Sequence, residues 1–321
     1  MTPTEQREVV GRLVALLQQH YVFPDVAATL AQNLSAVPDG PGATLESFAA
    51  AMTTHLQAVN GDLHLRLIHH AEPLAPNHGH DDEADIAAIW RWAQISGAGI
   101  ARVQVLPGNV GYVDIRLLFP PAFAGDHVVS AMTLLSDAEA LLVDLRACQG
   151  GDPAAVALFC GYLFDEPVEL SGIYDRATDR IHQWWSPPYL PGDRFGATKP
   201  VYVLTSGATF SGGEHVAYDL QQLRRATIVG ESTRGGAHPR RGFRVHEHLE
   251  ATIPVGRSVS PLTGGNWERV GVAPDVAVAA AEAPRVAYRM ALKSIIDAGT
   301  AGADVLAQAR GAADADLDPL A

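Results

Sequence analysis

The sequence predicts an α/β protein with a helical N-terminal part, and three observations indicate this fold class. Apolar residues between about residues 4 and 58 recur at helical spacing, as in Val9, Leu13 and Leu17. From about residue 100 onward, strand-like apolar runs alternate with helical patterns, which is typical of a sheet covered by helices. The chain has 321 residues, 47% apolar and 18% charged, so it contains ample material for a large core.

The N-terminal segment is expected to form a small bundle of helices. A break at Phe23-Pro24-Asp25 separates the first helix from the second, because proline suits the first turn of a helix. Thr44 can cap a third helix, and the Pro- and Gly-rich stretch 38–42 forms the loop before it. We therefore predict a helical bundle over residues 1–60, an α/β core over 61–298 and a loose, Ala- and Asp-rich tail over 299–321.

The predicted core begins where the apolar period changes to two. Leu63, Leu65 and Leu67 alternate with other residues, which predicts a strand over 63–68, and a polar loop follows over 69–83. Further strands are predicted at 100–106, 110–115, 140–145, 200–205, 227–229 and 252–255, and helices after Asp152-Pro153, at 216–223 and at 286–296.

Charge and composition argue against several classes of protein. The net charge of −13, from 23 Lys and Arg against 36 Asp and Glu, disfavours binding to nucleic acid or to an anionic membrane surface. No run reaches the roughly 20 apolar residues of a membrane helix, and the first residues do not resemble a secretory signal, so we expect no membrane insertion and a cytoplasmic location. The two cysteines cannot form a disulfide framework, and no Cys/His spacing fits zinc, so we expect neither a metal nor a cofactor. A lysine-dependent mechanism is limited to Lys199 and Lys293, the only lysines in the chain.

Three glycine-rich segments follow predicted strands and could carry chemistry. In the first, the strand over 140–145 leads to Gly150-Gly151, and a helix begins after Asp152-Pro153. Glycine lets backbone amides approach a ligand closely, and a helix N-terminus favours negative charge, so this segment suits an oxyanion hole. An ordinary tight turn is the alternative interpretation.

The second segment places Ser211 where the strand over 200–205 turns into a helix. There its hydroxyl can project, and the amide of Gly212 can help to hold an oxyanion. Ser211 and Glu214 also fit a capping box, which has no catalytic meaning. The third segment, 229–239, and the later stretch 260–275 are interpreted most simply, when taken alone, as glycine-rich loops.

Taken together and in this order, the segments resemble the serine peptidase superfamily that contains the C-terminal-processing (tail-specific) proteases, tricorn protease and the interphotoreceptor retinoid-binding protein. The matching motifs are Asp144-Leu145-Arg146 with Gly150-Gly151, Thr209-x-Ser211-x-x-Glu214, Gly230-Glu231-x-Thr233-x-Gly235 and Gly271-Val272-x-Pro274-Asp275. The resemblance covers about residues 60–280 and is closest to the retinoid-binding-protein-like and tricorn-like branch. It implies a crotonase/ClpP-like ββα core without the PDZ domain usual in tail-specific proteases.

By this resemblance Ser211 is the nucleophile of a serine hydrolase. The oxyanion hole would be formed by the amide of Gly212 and by that of Gly150 or Gly151. The tail-specific branch activates its serine with a lysine, at a position that Gly236 occupies here. Neither lysine of this chain matches that position, so a Ser–Lys dyad is not expected.

The other branch resembles a design with a histidine from the N-terminal part and a glutamate near the end, matched here by His64 and Glu268. A neutral His64 would take the serine proton and return it to the leaving group, and Glu268 would support it. Tricorn has a serine beside its histidine where this chain has Leu63; Asp62 could substitute for that serine, or Glu268 could act through water. His238 lies close to the family's lysine position and is the alternative base.

Other groups have plainer interpretations. His69-His70 and His78-x-His80-Asp81-Asp82 could suggest a metal site, but a solvated acidic loop is favoured because the spacing imposes no ligand face. Cys148 could be a thiol nucleophile, but the serine at the helix start is better placed. Trp184 and Trp185 could line a substrate groove or pack on the core.

The sequence therefore predicts a serine peptidase-like hydrolase that cleaves a peptide or a small acyl substrate through an acyl-enzyme. Two alternatives stay open: a lipophilic-ligand-binding module of the retinoid-binding type, and a specialised biosynthetic enzyme that acts on a small acyl compound. Formation of a homo-oligomer is also left open.

Overall fold

The computed structural model describes residues 1–37, 42–75 and 83–315. The helices are α1 (Pro3–His20), α2 (Pro24–Ser35), α3 (Leu45–Gln57), α4 (Glu83–Ile95), α5 (Pro121–Leu135), α6 (Pro153–Gly161), α7 (Gly212–Gln222), α8 (Ala283–Ala298) and α9 (Ala303–Asp314). The strands are β1 (Arg66–His69), β2 (Ile100–Leu106), β3 (Val110–Ile115), β4 (Ala140–Asp144), β5 (Glu169–Asp175), β6 (Arg180–Trp185), β7 (Val201–Thr205), β8 (Thr227–Gly230), β9 (Arg240–His246), β10 (Leu249–Pro254), β11 (Gly256–Val259) and β12 (Val276–Ala277). Among these described helices, none is both long enough and apolar enough to cross a bilayer.

The chain divides into two compact units, each made of several segments. Unit 1 comprises Met1–Ile89, Gly172–His182 and Gly236–Val259, and unit 2 comprises Trp90–Ser171, Gln183–Gly235 and Ser260–Ala321. Helices α1 to α3 share a core with strands that follow much later in the chain. The domain boundary expected at residue 60 stays a prediction.

In unit 1 the N-terminal helices pack against an antiparallel sheet. Strand β10 lies between β1 and β9, with Arg66 opposite Thr252. The apolar stripes predicted from helical spacing are buried, and Leu13 and Leu30 share one core with Ile253 of β10. The predicted bundle is therefore a layer of helices on a sheet, since an apolar stripe must be buried against another element.

Unit 2 contains a six-stranded sheet in the order β12-β8-β7-β4-β3-β2. Strand β2 is antiparallel to β3, and the other neighbouring strands are parallel. Strands β4 and β7 are buried along their whole length, as expected for apolar runs in a parallel sheet. Helix α8 packs on this sheet through a core in which Tyr288 and Leu292 meet Leu142 and Leu204. The predicted α/β fold class is confirmed.

The parallel strands bring the three glycine-rich segments to one edge of the sheet. Asp144 at the end of β4 lies opposite Leu204 of β7, and Thr205 at the end of β7 lies opposite Gly230 of β8. Because parallel strands end at the same edge, the segments after β4, β7 and β8 all start there.

The structure differs from the sequence expectation in several elements. Strand β1 begins at Arg66, since Leu63 and His64 lie in a turn, and helices α4 and α5 occupy stretches for which no helix was predicted. The expected loose tail over 299–321 contains helix α9. This helix is ordered because its buried face, with Ala309 and Ala312, belongs to the same core as α8.

Replacing Ala309 by leucine tests the docking of α9. Ala309 is 0% exposed, and a Cβ at Gly108 would lie 3.1 Å from its Cα, so no space is left for a larger side chain. We expect Ala309→Leu to lower the free energy of unfolding by about 1–3 kcal/mol. The same substitution at the exposed Ala307 should change it by less than about 0.5 kcal/mol. Urea denaturation measures both, and equal stabilities would show that α9 is not docked.

Candidate active site

Ser211 lies at the start of α7 on a tightly fixed turn. Its backbone has φ 52° and ψ −118°, a positive-φ conformation that costs a residue with a Cβ about 1–3 kcal/mol. Two bonds tie this turn to the segment after β4. The Thr209 hydroxyl donates to the Leu145 carbonyl at 2.8 Å, and the Phe210 N–H donates to the Cys148 carbonyl at 3.0 Å. A half-buried serine is thus presented at the first turn of a helix.

The backbone of Gly150-Gly151 lies directly against the serine turn. A Cβ at Gly150 would lie 2.6 Å from the Ser211 Cβ, and a Cβ at Gly212 would lie 2.8 Å from the Gly151 nitrogen. Glycine is therefore required at both positions. The amide of Gly212 and that of Gly150 or Gly151 therefore lie close together and are the candidate donors to an oxyanion.

A buried carboxylate, that of Glu214, connects the serine turn to the third glycine-rich segment. Its Oε2 accepts a hydrogen bond from the Ser211 N–H at 2.8 Å. Its Oε1 accepts from the Thr233 hydroxyl and from the Gly235 N–H, each at 2.6 Å. The first bond is the carboxylate half of the capping box that the sequence suggested. The other two bonds connect the start of α7 to the segment after β8, which a helix cap alone does not do.

Glu268 lies in the loop after β11 and is positioned through its neighbour Trp267. Trp267 is 2% exposed and packs against His215 and Tyr218 of α7, with ring centroids 5.3 Å and 5.1 Å apart. The Glu268 N–H donates to the Asn266 side chain at 2.9 Å. The helix that begins at the candidate nucleophile therefore also holds the segment that carries the candidate glutamate.

In unit 1 a buried Asp62 carboxylate contacts one tyrosine and two histidines. Its Oδ2 accepts from the Tyr21 hydroxyl at 3.0 Å and lies 2.8 Å from Nδ1 of His238. Its Oδ1 accepts from the backbone N–H of His64 at 3.1 Å. All four residues are buried. The Asp62–His238 contact is the arrangement in which a carboxylate orients an imidazole base.

Burial lowers the pKa of His64 to about 3, although the nearby Asp62 carboxylate opposes this shift. His64 is therefore a neutral imidazole at neutral pH, as the predicted role requires. The sequence offered Asp62 as a substitute for the serine that is missing at Leu63. In the structure this carboxylate contacts the ring of His238, which the sequence did not predict.

The two lysines and Cys148 have surroundings that do not suggest nucleophilic chemistry. Lys199 donates to the Ser136 carbonyl, and Lys293 forms an ion pair with Asp297 at 2.6 Å. Burial raises the pKa of Cys148 to about 12, so its thiolate is scarce at neutral pH.

The remaining sequence candidates are placed only in part. In His69-His70, the Nε2 of the second ring lies 2.8 Å from an Oε2 atom of Glu250. The stretch His78-x-His80-Asp81-Asp82 lies outside the described residues. Trp185 on β6 is 50% exposed, whereas Trp184 is half-buried, so the pair is not simply part of a core.

Tyr21 is the member of these clusters that the sequence analysis missed. It ends α1 and lies 41 residues before Asp62, and no motif joins the two positions. Glu214 had a local signal in its spacing from Ser211, but that signal predicted only a cap.

Comparison with known proteins identifies the family. The model of peptidase family S41 matches residues 109–278, and that of the N-terminal domain of peptidase S41 in eukaryotic IRBP matches residues 2–94. The first match covers more than half of the chain, so the chain belongs to peptidase family S41. The resemblance drawn from the four motifs is confirmed, and the family supports serine peptidase activity in general.

Solved structures of proteases share the fold. The photosystem II D1 C-terminal processing protease has 15% identity and a TM-score of 0.54, with 87% of this chain and 94% of that chain covered. Mature CPAF in complex with lactacystin has 11% identity and a TM-score of 0.58, with 96% and 99% covered. Tricorn protease has 12% identity and a TM-score of 0.53, with 86% of this chain but only 35% of that chain covered. At these identities the likeness concerns the fold.

The low pKa of His64 leads to a prediction about acid stability. The unfolded chain takes up a proton at His64 below the ordinary pKa of 6.5, whereas the folded protein does so only near pH 3. Stability is therefore lost as the pH falls between these values, by up to about 1.4 kcal/mol per pH unit. We expect His64→Gln to lower the slope of the free energy of unfolding against pH by up to about 1.4 kcal/mol per pH unit in this range.

Urea denaturation at a series of pH values between about 6 and 4 measures this slope. His55→Gln, at an exposed histidine of α3, is the matched control and should leave the slope as it is. A His64→Gln slope equal to that of the unmodified chain would contradict the prediction.

Proposed function

We propose that this member of peptidase family S41 is a serine peptidase that forms an acyl-enzyme at Ser211. The turn at Ser211 is the observation that carries the proposal, because it combines a strained backbone with close-packed glycines. Attack by the Ser211 hydroxyl on a peptide carbonyl would develop negative charge on the carbonyl oxygen. The amide of Gly212 and that of Gly150 or Gly151 are proposed to stabilise that charge.

An imidazole of unit 1 is proposed to take the serine proton and return it to the leaving amine. His64 is the proposed base, since it matches the family motif and is neutral at neutral pH. A base with so low a pKa is a weak proton acceptor, however, and the contact of His238 with Asp62 makes His238 the alternative. Glu268 is proposed to support the charged imidazolium, directly or through water.

The two other functions expected from the sequence are less favoured than the peptidase. An apolar cavity of unit 2, lined by Ile115, Leu118 and Phe159 among others, has a volume of about 10 Å³. That volume corresponds to about one water molecule, so this cavity does not hold a lipophilic ligand. The family match favours a peptide over a small acyl compound as substrate.

Digestion of a proteome-derived peptide library tests the nucleophile. We expect the protein to cleave a subset of the peptides, and Ser211→Ala to lower the rate by at least about a thousandfold, since loss of a nucleophile removes the acyl-enzyme route. Ser130→Ala, at an exposed serine of α5, is the matched control and should cleave the same bonds at the same rate. Undiminished cleavage by Ser211→Ala would refute the assignment.

The rate of the acylation burst with an activated ester distinguishes the two bases. We expect His64→Ala to slow the burst by about 10²–10⁴-fold, the usual contribution of a general base. His238→Ala should slow it far less, and circular dichroism checks that both variants are folded. The reverse order of the two effects would assign the role to His238.

A further inference from the structure

Arg234 is held in a fixed position beside the serine turn. Its backbone N–H donates to the Thr209 carbonyl at 3.0 Å. Its two neighbours, Thr233 and Gly235, both donate to the buried Glu214, the same carboxylate that accepts from the N–H of the nucleophile. The main chain of Arg234 therefore cannot shift without breaking bonds that also hold the nucleophile.

The guanidinium of Arg234 lies over an aromatic ring but has no anionic partner among the described residues. It lies over the ring of Phe210, the residue before the nucleophile, 4.8 Å from the ring centroid. Arg234 is exposed, and in the described part of the chain no carboxylate lies within ion-pair distance of it. By contrast, Arg116 and Arg146 in the same unit each hold a carboxylate at 2.6 Å. Arg234 differs from these two because its guanidinium lies beside the candidate nucleophile and is not engaged by a described carboxylate.

The chemistry of the guanidinium suits a particular ligand. It is planar and carries several N–H donors in a rigid fork, and the contact with Phe210 leaves it exposed. A carboxylate matches that row of donors with two parallel hydrogen bonds. Because Phe210 directly precedes Ser211, a carboxylate bound by Arg234 would lie near the scissile bond, within a few residues of an extended peptide.

We propose that Arg234 selects substrates that carry a carboxylate near the scissile bond. This inference rests on the proposed function, since it assumes a peptide bound at Ser211. The carboxylate comes from an acidic side chain or from the C-terminus of the peptide, and the chemistry of recognition is the same for both. Arg234 is thus a specificity-determining residue that does not take part in the bond changes.

Two sets of short, otherwise neutral peptides test the proposal. In the first set the C-terminus is amidated, and Glu or Gln stands at successive positions; in the second, a peptide without acidic side chains has a free or an amidated C-terminus. We expect kcat/KM to be about 10- to 100-fold higher for the carboxylate form in at least one set. A ratio of this size is the usual contribution of a charge-assisted hydrogen bond. The set that shows the preference identifies the source of the carboxylate.

Variants at Arg234 assign the preference to this residue. Arg234→Gln should reduce the ratio to near one, and Arg234→Lys should keep only part of it, because lysine retains the charge but not the planar fork. Arg224→Gln, at an exposed arginine just beyond the other end of α7, is the control and should leave the ratio unchanged. Cleavage without charge preference, or an unchanged ratio in Arg234→Gln, would overturn the proposal while the peptidase function stands.

A binding measurement keeps the test independent of turnover. Calorimetric titration of the Ser211→Ala protein with the same peptides should show tighter binding of the carboxylate forms. The difference should disappear in the Ser211→Ala, Arg234→Gln double variant. If the unmodified chain cleaves none of the peptides, the proposed function fails on these substrates, and the titration still decides the role of Arg234: equal affinities for the charged and neutral forms would refute it.

Discussion

The buried carboxylate of Glu214 is the constraint on which the candidate site of unit 2 depends. It accepts hydrogen bonds from the Ser211 N–H, the Thr233 hydroxyl and the Gly235 N–H, so two segments that follow different strands share one acceptor. Loss of this acceptor would leave buried donors unsatisfied in both segments, and the strained backbone of Ser211 would lose a bond that holds it. The position of Arg234, between two of the donors, is set by the same carboxylate.

The two lysines and the two buried histidines near Asp62 differ in their surroundings. Both lysines are engaged in contacts of their own, whereas unit 1 gathers two buried histidines around the carboxylate of Asp62. The chemistry proposed for Ser211 therefore depends on an imidazole. The two imidazoles are not equivalent: burial lowers the pKa of His64, and a contact with the Asp62 carboxylate orients the ring of His238.

The features that were predicted from the sequence depend on local patterns. Continuous apolar runs predicted the buried parallel strands, and the glycines near Ser211 predicted a turn at which backbones approach closely. The spacing of Glu214 from Ser211 predicted a cap, but its bonds to residues 19 and 21 positions later come from the tertiary fold. The contact between Asp62 and His238 spans 176 positions, and no local pattern carries such information.

Packing also explains the elements that were missed. Helix α9 has short alanines at its buried positions, so its sequence shows little of the apolar contrast that predicts a helix. The N-terminal helices were predicted correctly, but their burial against β10 was not, since the strand lies nearly 200 residues further along the chain. The small side chains of α9, and the separation along the chain for the N-terminal helices, therefore leave no local pattern that predicts the packing partner.

Covalent labelling by a fluorophosphonate tests most directly whether the structure around Glu214 presents a working nucleophile. Intact-mass measurement and peptide mapping give the number and site of adducts, and their time course gives the rate, for the unmodified chain and for Glu214→Gln. We expect a single adduct on Ser211, and labelling about 5- to 160-fold slower in the folded variant, because loss of a buried hydrogen bond costs about 1–3 kcal/mol. An adduct on another residue, no adduct at all, or equal rates in the two folded proteins would contradict the central role of this carboxylate.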